Sequence, residues 1–292
     1  MAVIPWIAAA VVLASGGVIV RQRRKAALDD RDAERAADEL GTLAARSPDR
    51  FDVAMVRDLP EPARRFFAFA IEPGTPLTSV VEITMRGQLS LGSKTDPKYQ
   101  EMSARQLLAA PHGFVWRVEV GRAPMRVSGS DGMTGDRSWT RFWLLRCIPL
   151  VRVGGDADHL RSSFARMVAE AAFWSPAFLL PRPGVAWSAV DSDTARVTVA
   201  HRSLTQTLDI RVAATGQPLS VSMPRWSNAN AEKTYRIQPF GGDLSDFRMV
   251  SGYRLPFHVD GGNFFGTADY FPFYKARVVD VRFADVKDDP PK

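Results

Sequence analysis

One helical pattern stands in the middle of a chain that otherwise alternates with period two. In residues 158–181, DHLRSSFARMVAEAAFWSPAFLLP, the positions Leu160, Phe164, Met167, Val168, Ala171 and Ala172 fall on one face of a 3.6-residue period. Asp156 or Asp158 can cap the start by accepting from free backbone N–H groups. Pro176 lacks an N–H and disfavours helix at Ser175, so the helix should stop there. A second apolar clump, Phe178, Leu179 and Leu180, follows at once. A helix this apolar, set between two strand-rich regions, is expected to lie across the face of a sheet.

The strand signals begin at residue 78. Val81, Ile83, Met85, Leu89 and Leu91 alternate with polar residues, as do Trp116, Val118 and Val120. Residues 125–129 form another candidate, and 139–153 reads as two strands broken at Pro149. After Pro183-Gly184 the pattern resumes with Val185/Trp187/Ala189, Ala195/Val197/Val199 and a hairpin turning at Thr215-Gly216. The tail ends in a strand with Val279, Val281 and Phe283 expected on one face. About ten strands joined by short turns imply antiparallel meanders, because parallel crossovers need a dozen or more residues each. The expected class is α+β, mainly antiparallel β: a large curved sheet, a half-barrel, with the long helix packed in its concave face.

Residues 2–20 carry no charge and would make roughly 28 Å of helix, enough to cross a hydrocarbon core. A cleaved secretory signal would want a basic start, and no Lys or Arg precedes Arg21. An uncleaved single-pass transmembrane helix is the expectation. The basic run RQRRK, 21–25, would keep that end cytoplasmic at the inner membrane by the positive-inside rule. The expected organisation is an anchor with basic flank over 1–25 and a solvated helical linker over 26–57. A single curved-sheet domain over 58–286 and a polar tail over 287–292 complete it.

Arg21, Arg23, Arg24 and Lys25 supply four of the six net positive charges. The basic balance is therefore a membrane-flank effect and no nucleic-acid signal. One cysteine, Cys147, rules out an intramolecular disulfide and reads as a small core or strand residue. The four histidines are dispersed, without HExxH or HxH spacing, and no GxSxG or phosphate-binding glycine motif has the right context. No catalytic residue, metal site or cofactor is expected.

Arg166 and Glu170 are four apart on the central helix and can pair. Exposed, they would be an ordinary ion pair. Inside a curved sheet they would be buried, and could meet a ligand head group or act in catalysis. Aromatic residues crowd the stretch from Phe264 to Tyr274, including Phe265, Tyr270, Phe271 and Phe273. They read as core and sheet edge, or as the lining of an apolar site.

The runs FARMVAEAAFWSPAFLLP and GVAWSAVDSDTARVTV carry Arg166, Ala169, Glu170, Trp174, Pro176, Leu179, Leu180, Pro181 and Trp187 in a recurring order. This order resembles that of an uncharacterised family of bacterial, often membrane-anchored domains of unknown function. LPEPARRFF and GYRLPFHVDGG resemble its segments too, and the likeness spans roughly residues 58–284. Met167 departs from the family's usual aromatic. The family's fold looks similar to the half-barrels of lipoprotein-localisation proteins, in which sheet and helices enclose an acyl-chain cavity. The resemblance carries over no catalytic residue.

Three functions stay open. The first is a membrane-anchored, non-catalytic domain binding a lipid, acyl chain or other hydrophobic small molecule. Its candidate ligand-binding residues are Arg166, Glu170, Trp174, Trp187, Phe264, Phe265 and Tyr270. The second is an enzyme on a membrane-associated substrate using Glu170. The third is a packed interaction module with no ligand.

Overall fold

A computed structural model describes residues 4–43 and 49–283, with side chains from Gly16 onward. Three helices, α1 (Ile4–Gly41), α2 (Glu61–Ala70) and α3 (Ala157–Trp174), accompany one sheet of thirteen strands. The strands are β1 (Val80–Ser90), β2 (Tyr99–Ala109), β3 (Gly113–Val120), β4 (Val127–Thr134), β5 (Arg137–Leu144), β6 (Ile148–Gly154) and β7 (Val185–Ala189). The rest are β8 (Thr194–His201), β9 (Leu204–Val212), β10 (Pro218–Ser227), β11 (Arg236–Val250), β12 (Tyr253–Asn263) and β13 (Phe271–Phe283).

The order across the sheet is β6-β5-β4-β3-β2-β1-β13-β12-β11-β10-β9-β8-β7, antiparallel throughout. Two meanders therefore meet where β1 pairs with β13. The segment carrying α3 crosses from one edge strand, β6, to the other, β7. Helix α3 packs on β4 and β5 on one side and on β9 and β10 on the other. On a flat sheet β4 and β10 would lie roughly 34 Å apart, at about 4.8 Å per strand. A helix about 10 Å wide reaches both only if the sheet curls around it. The curved sheet with a helix in its concavity is thus present, with more strands than expected.

Helix α3 starts where Asp156 accepts from His159 N at 2.8 Å and stops at Ser175, as its sequence signals direct. Its apolar stripe is buried, but so is nearly every other face. Helix α2 buries Phe66, Phe67 and Ala70 beside it in the same core. Arg65 on α2 is a clamp: it pairs with Glu61 at 2.8 Å and donates to Ala213 O and Ser192 O.

One strand was not signalled by the sequence, and three sequence expectations change. Strand β2, YQEMSARQLLA, carries no clear alternation because both of its faces are covered near Ala109: Leu108 faces the concave core and Leu107 the opposite side. Val279 does not join Val281 and Phe283. Thr84 pairs with Asp280 but Met85 pairs with Val278, so Val279 is the extra residue of a β-bulge, and it points outward. Cys147 lies in the β5–β6 turn, half-buried, because Leu145 and Arg146 take positive φ and reverse the chain just before it.

The third change concerns the linker. The helix over 26–41 is docked on the convex face of the sheet. Ala33, Ala36 and Leu40 pack on Leu107, Ala109, Val115 and Trp139. Gly132 on the neighbouring strand lets the Trp139 ring lie flat, since a Cβ there would collide with it. Around this strip, Asp29 accepts from Trp143 Nε1 at 2.9 Å and pairs with Arg152, and Asp30 pairs with Arg146. Asp32 binds Arg141 at 2.8 Å and Arg137 at 3.2 Å, and Glu34 binds Arg117 at 2.9 Å. The acid-and-alanine composition that suggests a solvated helix is matched by arginines on three strands. The backbone of α1 is helical from Ile4, and most of the expected anchor at 2–20 lies outside the residues whose side chains are described. Among the described residues no helix is long and apolar enough to cross a membrane. The polar tail also lies outside the described residues.

Candidate functional site

Between α3 and the concave face lies a cavity of about 260 Å³. On α3 the residues that face it are Arg166, Ala169, Glu170, Phe173 and Trp174, spaced i, i+3/i+4, i+7/i+8. The predicted apolar stripe points elsewhere into the core. The opposing wall is built from inward positions of the strands: Trp116 and Phe142 from one meander, Val221, Phe240 and Val259 from the other. Most of this surface is apolar. Such a lining, with a few convergent polar groups, is how small-molecule sites are built.

The polar groups form one connected island. Arg166 Nε donates to Glu170 Oε1 at 2.7 Å, and its terminal nitrogen donates to Asp131 Oδ2 at 2.5 Å. The guanidinium also lies over the rings of Phe114 and Trp116, 4.8 and 5.1 Å from their centroids. Gln106 Nε2 donates to Glu170 Oε2 at 2.5 Å. Thr140 Oγ1 donates to Asp131 Oδ1 at 3.0 Å and also contacts His159 Nε2 at 3.0 Å. Side-chain exposures of 15% for Arg166, 12% for Glu170 and 19% for Asp131 put all three largely out of water. Burial works against the Arg166 charge. The Glu170 and Asp131 carboxylates more than offset it and hold the guanidinium above its usual range. Tyr274 is raised as well: burial, then the Glu170 charge, holds its phenol well above the usual value and keeps it neutral.

Arg225 is different. It stands on β10 in line with Val221 and Met223 and faces the same cavity. Its guanidinium lies 4.7 Å over the Phe240 ring and reaches only the Ser162 carbonyl, at 3.5 Å. Its Nε is shielded and has no partner. Burial, together with the Arg166 charge, pulls its pKa down to about 10, with Asp131 and Glu170 opposing. Sequence inspection missed it, although period two from Val221 and Met223 puts an arginine on the buried face.

The sequence candidates separate into two groups. Arg166, Glu170 and Trp174 come together at the cavity. Trp187 packs on Phe67 at 5.5 Å and donates to Leu179 O, in the core beneath α2, away from the cavity. Phe264, Phe265 and Tyr270 belong to the β12–β13 turn. Phe264 takes a positive φ there, Phe265 stacks edge-on with Tyr270 and lies against Gly241 of the wall, and Tyr270 donates to Asp260 O. From the same aromatic run, Phe273 and Tyr274 do line the cavity, because they already lie on β13. Among the described residues no cluster of three or more His, Cys, Asp or Glu is placed to hold a metal.

A curved antiparallel sheet closed over a buried helix and an apolar cavity defines the class of this domain. The chain belongs to a family of unknown function (DUF6544), whose profile matches residues 49–276. The recurring Arg166-to-Trp187 order lies inside that span. Among solved structures it is similar to a LolA superfamily protein from Nitrosomonas europaea, at 12% identity and a TM-score of 0.39, covering 78% of this chain and 94% of that one. It is also similar to a putative outer membrane lipoprotein-sorting protein domain from Vibrio parahaemolyticus, at 10% identity and a TM-score of 0.38, covering 81% and 94%. Likenesses this distant carry no argument about function. No curated protein matches the chain.

Proposed function

We propose that this protein is a membrane-anchored, non-catalytic binding domain that takes a lipid, acyl chain or other hydrophobic molecule into the cavity between α3 and the concave sheet. The observation that carries the reading is the cavity itself. An apolar pocket of about 260 Å³ walled by Trp116, Phe142, Phe173 and Trp174, with a few convergent polar groups, has the lining by which small-molecule sites are built. Glu170 supports binding over catalysis, because Arg166 and Gln106 occupy both of its oxygens. A packed interaction module would not need the void.

The anchor is residues 2–20, with the basic run 21–25 on the cytoplasmic side of the inner membrane, and α1 carries the domain directly behind it. Two experiments test the two halves of this reading. The full chain purified from its native host should show a bound species in the native mass spectrum that is released on denaturation. Val221→Phe, which fills the cavity, should remove that species while the fold persists. A clean apo mass in both proteins would sink the binding reading. The single cysteine gives the topology: Cys147, half-exposed on its turn, should resist a membrane-impermeant maleimide in intact cells and react after lysis. Labelling in intact cells would place the domain on the other side.

A further inference from the structure

We infer that the ligand of this cavity is a single-chain amphiphile with an anionic head, and that Arg225 is the group that receives the head. The inference rests on the reading of the cavity as a binding site and adds the chemistry of the ligand.

The argument turns on the two arginines that face the cavity. Arg166 is saturated: two carboxylates and two aromatic rings surround it. Arg225 has one long bond to a carbonyl, a shielded and unpartnered Nε, and an aromatic ring beneath it. A guanidinium presents several N–H donors in a rigid fork suited to a carboxylate or phosphate. A shielded Nε–H with no acceptor costs free energy that a bound anion would return. The lowered Arg225 pKa is consistent with that shortfall. The other acids at the cavity, Asp131 and Glu170, are directed at Arg166 and do not reach Arg225 by any hydrogen bond or ion pair. Beside Arg225 the wall is mostly apolar, with Val221, Met223 and Phe240, and Ser222 is the other polar residue that β10 contributes to it. One cation left without a carboxylate, facing one mostly apolar space, fits one chain with one anionic head. At about 260 Å³ the space lies just below the usual range of small-molecule sites, roughly 300–1,000 Å³, and suits one chain better than two.

The test uses the delipidated full chain in phosphatidylcholine nanodiscs, titrated calorimetrically at neutral pH against empty discs. The probes are dodecanoate, dodecyl phosphate and dodecanol, which share one chain and differ in the head. Wild type should bind at least one anionic probe about tenfold or more tighter than dodecanol, as a charged hydrogen bond predicts. The tighter of the two anions names the head. Arg225→Gln should abolish the preference while leaving dodecanol binding intact, and Arg225→Lys should retain part of it. Equal binding of all three probes to wild type would overturn the anionic head while leaving the hydrophobic site standing. An unchanged preference in Arg225→Gln would overturn the role of Arg225. If no probe binds wild type, the binding reading itself falls. The wild-type comparison decides the head even if Arg225→Gln does not fold.

Discussion

Two helices lie on opposite faces of one sheet, and each is held by arginine–carboxylate pairs, yet the two seats work differently. On the concave side a single arginine on α3, Arg166, gathers acids from the helix and from β4 inside an apolar enclosure. On the convex side four acids on α1 meet five arginines of the sheet and its turns in a graded seat: Asp29 is buried beside Trp143, while the outer pairs, such as Glu34 with Arg117, are half in water. Ion pairs in water contribute little each and are screened by salt, whereas buried ones cannot be broken singly without stranding a charge. The concave island therefore fixes the centre of the fold, and the convex latch only holds a helix against it.

The largest test of that contrast is Arg166→Met. It leaves Asp131 and Glu170 buried without their partner and should cost about 3–5 kcal/mol, a fall in melting temperature on the order of 10 °C. Combining it with Asp131→Asn and Glu170→Gln should restore most of the loss. A melting temperature equal to wild type would mean the island is solvated after all.

On the other face Asp29→Ala removes the acceptor of Trp143 and the partner of Arg152, for about 1–3 kcal/mol. Its effect should be local. Hydrogen exchange should quicken over residues 26–41 while the sheet melts as before, and a uniform loss across the sheet would erase the distinction between the two seats.

Acid sharpens the comparison further. Burial raises the Asp32 pKa, but the bond and charge of Arg141, then the charge and bond of Arg137, outweigh it and leave the carboxyl below its usual value. A depressed folded pKa means that the stabilisation is complete above the unfolded value, about 3.9, and is lost as pH falls through the folded one. Proteolysis of α1 should therefore accelerate only below about pH 4, and sooner in 1 M salt, where screening acts within roughly 3 Å. Release of α1 near neutral pH would show that other groups control the latch. The smallest effect belongs to Arg117→Ala: its pair with Glu34 is half in water, and chemical denaturation should register at most about 0.5 kcal/mol.

Strand signals were readable where one face is wet. Val81 to Leu89, Val118 and Val120, and Ala195 to Val199 alternate because water on one side forces polar residues there. Leu91, expected on the same face, lies past the end of β1 and is exposed. Strand β2 escaped detection because α1 covers its far side, and nothing within YQEMSARQLLA announces a helix from sixty residues earlier. Val279 misled for the same kind of reason: a bulge is set by the partner strand. At the site, Arg166 and Glu170 were legible because helical spacing alone makes them neighbours. Asp131 and Gln106 were not, since they join the pair from β4 and β2 across the sheet.

The sequence by itself determined the α3 boundaries through an aspartate at 156 or 158 and Pro176, the antiparallel pairing through its short turns, and the pairing of Arg166 with Glu170 through one helical turn. These are local, and local chemistry suffices to specify them. Only the tertiary structure decided that the sheet curls far enough for β4 and β10 to face each other across α3. That approach brings a third charge to Arg166 and leaves Arg225 with no carboxylate of its own. Which charges are satisfied depends on strands that lie about a hundred residues apart in the chain, and no window along the sequence contains both.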